Sequence, residues 1–330
     1  MKRILILLVF TFSVAIGQEK VISGDSPKIK IVVGSKAPSI PRASSKTIGG
    51  NSNKIKLSLG LVSAPLEVPT NSTARATMPP DTSKPTEEIS GAPKYYSLII
   101  GIEKYQFTSA DLPNLDQPVQ DANALTNVLV EKYTFNPSNS ILLANPTRAD
   151  IIKSLEEMAK KITPKDNLLI FYAGHGYWDE RIKVGYWLPA DSKPNDKSSW
   201  ISNSTIRDYI AGIQSKHTLL ISDACFSGSI FKTRAVNSEI NEWGVAKIYQ
   251  MPSRKAMTSG TLTTVPDESK FMQYFIKRLS QNTSKYLTGR QLFYSLETAV
   301  LNNTSTVPQM GVIQDTGDEG GDFVFIKKEQ

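Results

Sequence analysis

Two short stretches, 168–178 and 218–230, constrain this chain more than any other feature. They read LLIFYAGHGYW and TLLISDACFSGSI. Each opens as an unbroken run of strand-forming apolar residues and stops abruptly in small ones. A strand with one wet face alternates apolar and polar side chains. A strand apolar throughout is buried on both faces, as in a parallel sheet covered by helices on either side. The neighbouring segments fit that frame. Residues 95–102 (YYSLIIGI) form a third buried-strand run, and 140–143 and 256–259 read as shorter strands. FVFI (323–326) adds a final strand, while GYWLP (185–189) and a polar loop lead into a helix. Between them lie helical spacings: Val119, Ala122, Leu125, Val128 and Leu129 over 118–132, then Ile151, Ile152, Leu155 and Met158 behind a Thr147 N-cap. Further helices are expected over 204–213, 267–280 and 288–301, while 232–253 reads as irregular or helical. Strands alternating with helices from Tyr95 onward predict one α/β domain, a mainly parallel sheet with helices on both faces.

In an open parallel sheet, ligands and chemistry collect at the carboxyl ends of the strands. The loop after the first run presents His175 between Gly174 and Gly176, and the loop after the second presents Cys225, the only cysteine in the chain. Neighbouring parallel strands would set this pair across one crevice, and a thiol beside an imidazole is an activated nucleophile. The backbone N–H groups of Gly176 and Cys225 are placed to donate to a developing oxyanion. A helix starting near Phe226 would lower the thiol pKa. The second histidine, His217, begins its strand and so falls at the opposite end, where a structural role is expected. Two histidines and one cysteine without ligand spacing do not make a zinc site.

Charge excludes one class of partner. From Tyr95 onward the 25 basic and 25 acidic residues cancel, so the whole net charge of +7 lies in the first 94 residues. A neutral domain gives no basic face for nucleic acid. Those first residues divide in two. Lys2 and Arg3 precede a thirteen-residue apolar run, 4–16, which ends at Ala15-Ile16-Gly17. This is the pattern of a cleavable signal peptide, 1–17, with the mature chain starting at Gln18 and exported to a periplasm or secreted. No later apolar run approaches the roughly 18 residues of a membrane span. Residues 18–94 are rich in Ser, Thr, Pro and Lys and read as a flexible arm or pro-segment. Its short alternating runs, 28–34 and 54–62, are weak strand candidates. The folded domain is expected over 95–330. A single cysteine in an exported chain excludes an intrachain disulfide and marks the thiol as reactive.

YAGHG after one apolar strand and DACFSG about fifty residues on after another resemble the caspase-like cysteine peptidases (peptidase C14). The metacaspase and bacterial caspase-domain branch, with SGHG and DxCHSG, is the nearest form. GIEKY, the QDA around Asp121 and the late GGDFVF also look like that family, so the resemblance covers roughly 95–328. It implies a caspase-like three-layer sandwich with a mainly parallel six-stranded sheet. It also implies peptide hydrolysis through a thioester, with Cys225 as nucleophile, His175 as proton donor to the leaving amine, and Gly176 and Cys225 as the oxyanion hole. The family requires no third orienting residue, and none is assigned. Asp223, two residues before the cysteine, would favour Arg or Lys at the cleaved position, with Asp121 as the second acid of that pocket. Three positions depart from the family: Ala173 for Ser, Phe226 for His, and Pro118 where Cys is frequent.

The chemistry needs no cofactor. Calcium is the family's common activator, but the acidic run 315–322 (DTGDEGGD) lacks a calcium-loop spacing and reads as a solvated turn, so calcium dependence stays open. The expected partners are polypeptides with Arg or Lys at the cleaved position, and the expected state is a monomer. Lys232, Arg234 and Lys247, and Arg42, Lys46, Arg75 and Lys84 in the arm, are candidate self-cleavage sites. The alternative to a peptidase is a catalytically silent caspase-fold binding module, against which stands the presence of both His175 and Cys225.

Overall fold

The computed structural model describes residues 93–224, 240–260 and 268–329 in full, and 231–233 in backbone only. They fall in the second of two units, Met78–Gln330; the first, Met1–Thr77, lies outside the described residues. The signal peptide expected at 1–17 and nearly all of the arm expected at 18–94 are outside them too, as is Cys225.

In chain order the strands and helices are β1 (Tyr95–Gly101), α1 (Pro118–Lys132), β2 (Phe135–Ala144), α2 (Arg148–Lys161), β3 (Asn167–Ala173), β4 (Gly176–Asp179), β5 (Val184–Trp187), β6 (Ile201–Ser202), α3 (Asn203–Gly212) and β7 (His217–Asp223). They continue with β8 (Phe231–Thr233), α4 (Glu242–Gln250), β9 (Ser253–Thr258), α5 (Lys270–Gln281), β10 (Tyr286–Thr288), α6 (Gly289–Asn303), β11 (Gln309–Ile313) and β12 (Val324–Ile326). Six strands build the main sheet in the order β2-β1-β3-β7-β9-β11, and β8 adds a short seventh at the outer edge of β11. The first five run parallel, and β11 and β8 are antiparallel to their neighbours.

The apolar runs explain the centre of this sheet. Every residue of β1, β3 and β7 is buried. Successive side chains of a strand point to opposite faces, so each run must feed two cores. Leu168, Ile170, Tyr172 and Leu220 pack against Ile151, Leu155 and Met158 of α2 and Ile206 and Ile210 of α3. Leu169, Phe171, Leu219 and Ile221 pack on the other side against Leu125 and Leu129 of α1, Phe271 and Phe275 of α5, and Leu292 and Leu296 of α6. The result is the expected α/β three-layer sandwich.

The helices start where side chains can satisfy their free N–H groups. Thr147 and Asp150 form a capping box at α2, Thr288 and Gln291 another at α6, and Ser202, Asn241 and Ser269 cap α3, α4 and α5. α1 opens with Pro118, whose missing N–H costs nothing at that position.

Several strands were not expected, and one expectation needs correction. FVFI holds the final strand, as expected, with β12 over Val324–Ile326, but it pairs with β10 in a separate two-stranded ribbon; β11, a strand of the main sheet, was not expected. β11 was hidden because Gly311 and half-buried Gln309 and Met310 break its apolar pattern. GYWLP contributes β5 to a small sheet, β4-β5-β6, beside the main one. The acidic run is a solvated turn only in part: Asp315 and Glu319 are exposed, but the Asp318 side chain is 7% exposed, ion-paired to Lys255 at 3.0 Å, and accepts a hydrogen bond from Arg254 N–H at 2.8 Å. Asp322 is fully buried and accepts from Arg290 N–H, on the first turn of α6, at 3.1 Å. Its pKa is pushed up to about 6 by burial, which Arg290 only partly offsets.

Candidate active site

Register fixes the ends of the central strands against one another. Gly101 of β1 pairs with Ala173 of β3, and Ala173 with Asp223 of β7. Ser222 pairs with Thr258 of β9, and the chain beyond β9 stays attached through Ser259 N–H to Ser222 O at 3.2 Å. The loops leaving these strands therefore depart from one edge of the sheet.

His175 leaves β3 through Gly174, whose φ of +156° is a conformation other residues rarely adopt. A Cβ there would also lie 3.1 Å from the Tyr105 hydroxyl and 3.2 Å from that of Tyr172. Those two tyrosines hold the histidine backbone. Tyr105 Oη accepts from His175 N–H at 2.8 Å, and Tyr172 donates its hydroxyl to His175 O at 2.6 Å. Leu188 N–H donates to the same carbonyl at 3.1 Å. The imidazole is half-buried and lies 5.1 Å from the Tyr105 ring, centre to centre.

The ring is held too. His175 Nε2 is 2.8 Å from Pro113 O. A carbonyl only accepts, so Nε2 carries the proton and Nδ1 is the basic nitrogen of the neutral ring. Pro113 sits in a loop fastened by Asn114, whose side-chain oxygen accepts from Tyr105 N–H at 2.9 Å, and by Leu115 N–H to Glu103 O at 2.9 Å. A third orienting group is thus present where none was expected. A main-chain carbonyl has no sequence signature, which is why residue-level reasoning missed it.

Gly176, half-buried, is the first residue of β4 and faces Trp187 of β5. Cys225 lies outside the described residues, and so does Phe226. The described chain reaches Ala224, buried at the end of β7. Asp223, the last residue of β7, is 7% exposed. Among the described residues its Oδ1 has no hydrogen-bond partner. Burial raises its pKa, and the hydroxyls of Ser259 and Ser269 act in the opposite direction. Strand alternation puts Asp223 on the side of Ile221, facing α1 and α5. Asp121 lies in the first turn of α1, the helix on that side, half-buried. The start of α1 presses on the end of β1, since a Cβ at Gly101 would come 2.5 Å from Pro118 O. The two acids thus share one side and one end of the sheet. Ala173 is the register partner of Asp223 on that same side and brings no hydroxyl.

His217 is where it was expected, at the far end of β7. It is fully buried between Ser253 Oγ at 2.8 Å and Tyr249 O at 3.0 Å. Burial lowers its pKa to about 3, so it is neutral and structural. Among the described residues no cluster of three or more His, Cys, Asp or Glu is arranged to hold a metal, and no helix is long and apolar enough to cross a membrane.

The caspase-domain profile of peptidase C14 matches residues 94–315 of this chain. The chain belongs to that family. Metacaspase-1 of Eremothecium gossypii is 24% identical over 216 residues, a match covering 58% of this chain and 45% of that protein. The chain thus spans less than half the length of the curated relative it matches. Caspase-1 from Spodoptera frugiperda superposes with a TM-score of 0.50 at 15% identity, over 72% of this chain and 93% of that one, a likeness of fold alone. A Geobacter sulfurreducens protein, GSU0716, aligns over 69% of this chain and 97% of its own, at 15% identity and a TM-score of 0.47. Within this caspase domain, His175 follows the third strand of the sheet and Asp223 closes the strand beside it.

Proposed function

We propose that this caspase-domain protein is a cysteine endopeptidase that cleaves after Arg or Lys. The observation that carries the reading is the pairing of β3 with β7. It sets the loop bearing an oriented His175 next to the strand end that leads into the only cysteine. Cys225 gives its thiol proton to His175 Nδ1 and attacks the scissile carbonyl carbon. The N–H groups of Gly176 and Cys225 hold the resulting oxyanion. His175 passes the proton to the departing amine, and the C–N bond breaks to leave a thioester. A water molecule, deprotonated by the same nitrogen, then releases the acid and restores the thiol. Pro113 O keeps the ring from rotating and favours the imidazolium that forms twice in the cycle.

Specificity is the role of Asp223 with Asp121. A buried carboxylate with an unpartnered oxygen is a costly group that a substrate guanidinium or ammonium relieves. The chemistry needs no metal, and calcium is tested as a modulator. The enzyme acts as a monomer, on polypeptides, after export through residues 1–17. Self-processing is confined to fewer places than the basic residues alone suggest. Lys232 lies in β8, paired with Val312, and Lys247 lies on α4 with its ammonium 3.2 Å from the centre of the Trp243 ring. A peptidase needs an extended, unpaired segment, which leaves Arg234 and the arm sites, all outside the described residues.

The test is hydrolysis of matched fluorogenic peptides ending in Arg, Lys or Asp, by the full chain and by Cys225→Ala, each with calcium or with chelator. Cleavage after Arg or Lys that disappears in the variant is expected. Cleavage only after Asp would overturn the pocket, and cleavage of none would overturn the peptidase and leave the binding module.

A further inference from the structure

β4 carries an aromatic face beside His175 that the chemistry above does not use. Leu188 N–H donates to His175 O at 3.1 Å, which carries the β4–β5 ladder one residue past the pair Gly176–Trp187. Hydrogen-bonded and non-hydrogen-bonded pairs alternate in an antiparallel ladder, so the Gly176 N–H points away from β5, to the open edge of its sheet. Side chains alternate as well, so His175 and Tyr177 stand on one face, about 7 Å apart along the strand. Trp187 occupies the other face, buried and stacked on Tyr172 at 4.2 Å between ring centres. On the outer face Tyr177 packs against Trp200 at 4.9 Å and Tyr186 at 6.4 Å, and the Lys197 ammonium lies over the two tyrosines at 5.6 and 5.9 Å. Tyr177 nevertheless keeps 41% of its surface exposed. The Lys197 ammonium is paired with Asp179, so the face presents ring surface without net charge.

We propose that Tyr177 forms a subsite for the leaving side of the substrate, taking an apolar or aromatic residue at the first or second position after the scissile bond. The inference rests on the peptidase reading above and adds a second point of selection to it. In that reading the oxyanion sits at Gly176 N–H, and the departing amine takes its proton from His175. The basic side chain before the scissile bond reaches back to Asp223 at the end of β7, so the chain after it runs past the imidazole. The next side chain on the imidazole's face is Tyr177. Its ring is held in advance: Tyr186 and Trp200 flank it, and Trp200 is itself fixed by Nε1–H to Lys193 O at 3.1 Å. A ring already in place loses little freedom when it is covered, and covering it favours an apolar partner. An acidic residue gains nothing there, because the nearby ammonium of Lys197 already has its carboxylate.

The experiment measures kcat/KM on internally quenched peptides with Arg before the scissile bond and Phe, Leu, Ala or Asp at each of the two positions after it. It compares the full chain with Tyr177→Ala and Tyr177→Phe. The full chain should favour Phe or Leu over Ala and Asp by about five- to tenfold at one of the two positions. Tyr177→Ala should bring that ratio to within about twofold of unity, and Tyr177→Phe, which keeps the ring, should preserve it. Equal rates for all four residues at both positions, or a preference for Asp, would overturn the subsite alone. So would a preference that Tyr177→Ala leaves intact or that Tyr177→Phe abolishes. A full chain that cleaves none of the peptides would overturn the peptidase reading and this inference with it. Circular dichroism checks each fold; should Tyr177→Ala unfold, Tyr177→Thr, a better strand former without a ring, decides.

Discussion

His175 is positioned by hydrogen bonds that fix both its backbone and its ring, made by two tyrosine hydroxyls and by main-chain groups. Tyr105 accepts from its N–H, Tyr172 and Leu188 donate to its carbonyl, and Pro113 O takes the Nε2 proton. Tyr105→Phe removes one of these while keeping the ring that lies beside the imidazole. A single neutral hydrogen bond contributes about 1 kcal/mol. The variant should lose about five- to tenfold in kcat with KM within about twofold, read from steady-state peptide hydrolysis. An unchanged kcat would mean that Gly174 and Tyr172 alone define the backbone path. Asp223 differs in kind: it is buried, burial raises its pKa, and among the described residues its Oδ1 has no hydrogen-bond partner.

Among the elements, β7 is clamped at its two ends by different chemistry. At the carboxyl end stands Asp223; at the amino end His217 ties β7 to Ser253 of β9 and to Tyr249 of α4. Tyr249 O takes the Nε2 proton and the Ser253 hydroxyl meets the other nitrogen, while burial keeps the ring neutral. With a folded pKa of about 3 against an ordinary value of 6.5, acid protonates the unfolded chain first. The contribution of His217 is therefore complete above about pH 6.5 and is lost as pH falls toward 3. Asp322 has the opposite sign: its raised pKa makes its contribution largest below the ordinary carboxylate range, and that contribution is lost as pH rises through about 6. Urea midpoints at pH 7 and pH 4.5 for the full chain and His217→Asn separate the two. The variant should be less stable at pH 7 and should lose less on acidification. Parallel losses in both proteins would remove His217 as the acid-sensitive clamp.

For the whole molecule, the separation of charge matters more than its sum. The domain from Tyr95 is neutral while the first 94 residues carry the entire +7. The basic sites of that segment are where an Arg- or Lys-directed peptidase meets its own chain. Mass spectrometry of protein recovered outside the cytoplasm should give a chain beginning at Gln18 or later, and Cys225→Ala should retain every residue from Gln18 onward. A chain starting at Met1 would contradict export through 1–17. An active enzyme and a Cys225→Ala protein of identical mass would contradict self-processing.

The apolar runs at 95–102, 168–173 and 218–222 were enough to specify strands buried on both faces, and with the intervening helical spacings they determined the α/β class and the layer order. That information is local: burial on two faces forces apolar residues at every position, and the pattern survives in one dimension. The glycines around His175 were legible for a similar reason, because Gly174 occupies backbone space closed to other residues. β11 was not legible, because a strand antiparallel to its neighbours and only partly covered tolerates Gln309 and Gly311. The buried roles of Asp318 and Asp322 were not legible either, since their partners Lys255 and Arg290 lie 63 and 32 residues away in sequence. The same limit hid the Pro113 carbonyl. Sequence by itself determined the strand ends and the residue types that sit on them. Only the tertiary structure decided which backbone oxygen orients the imidazole and which cations meet Asp318 and Asp322, because those groups meet through register and packing.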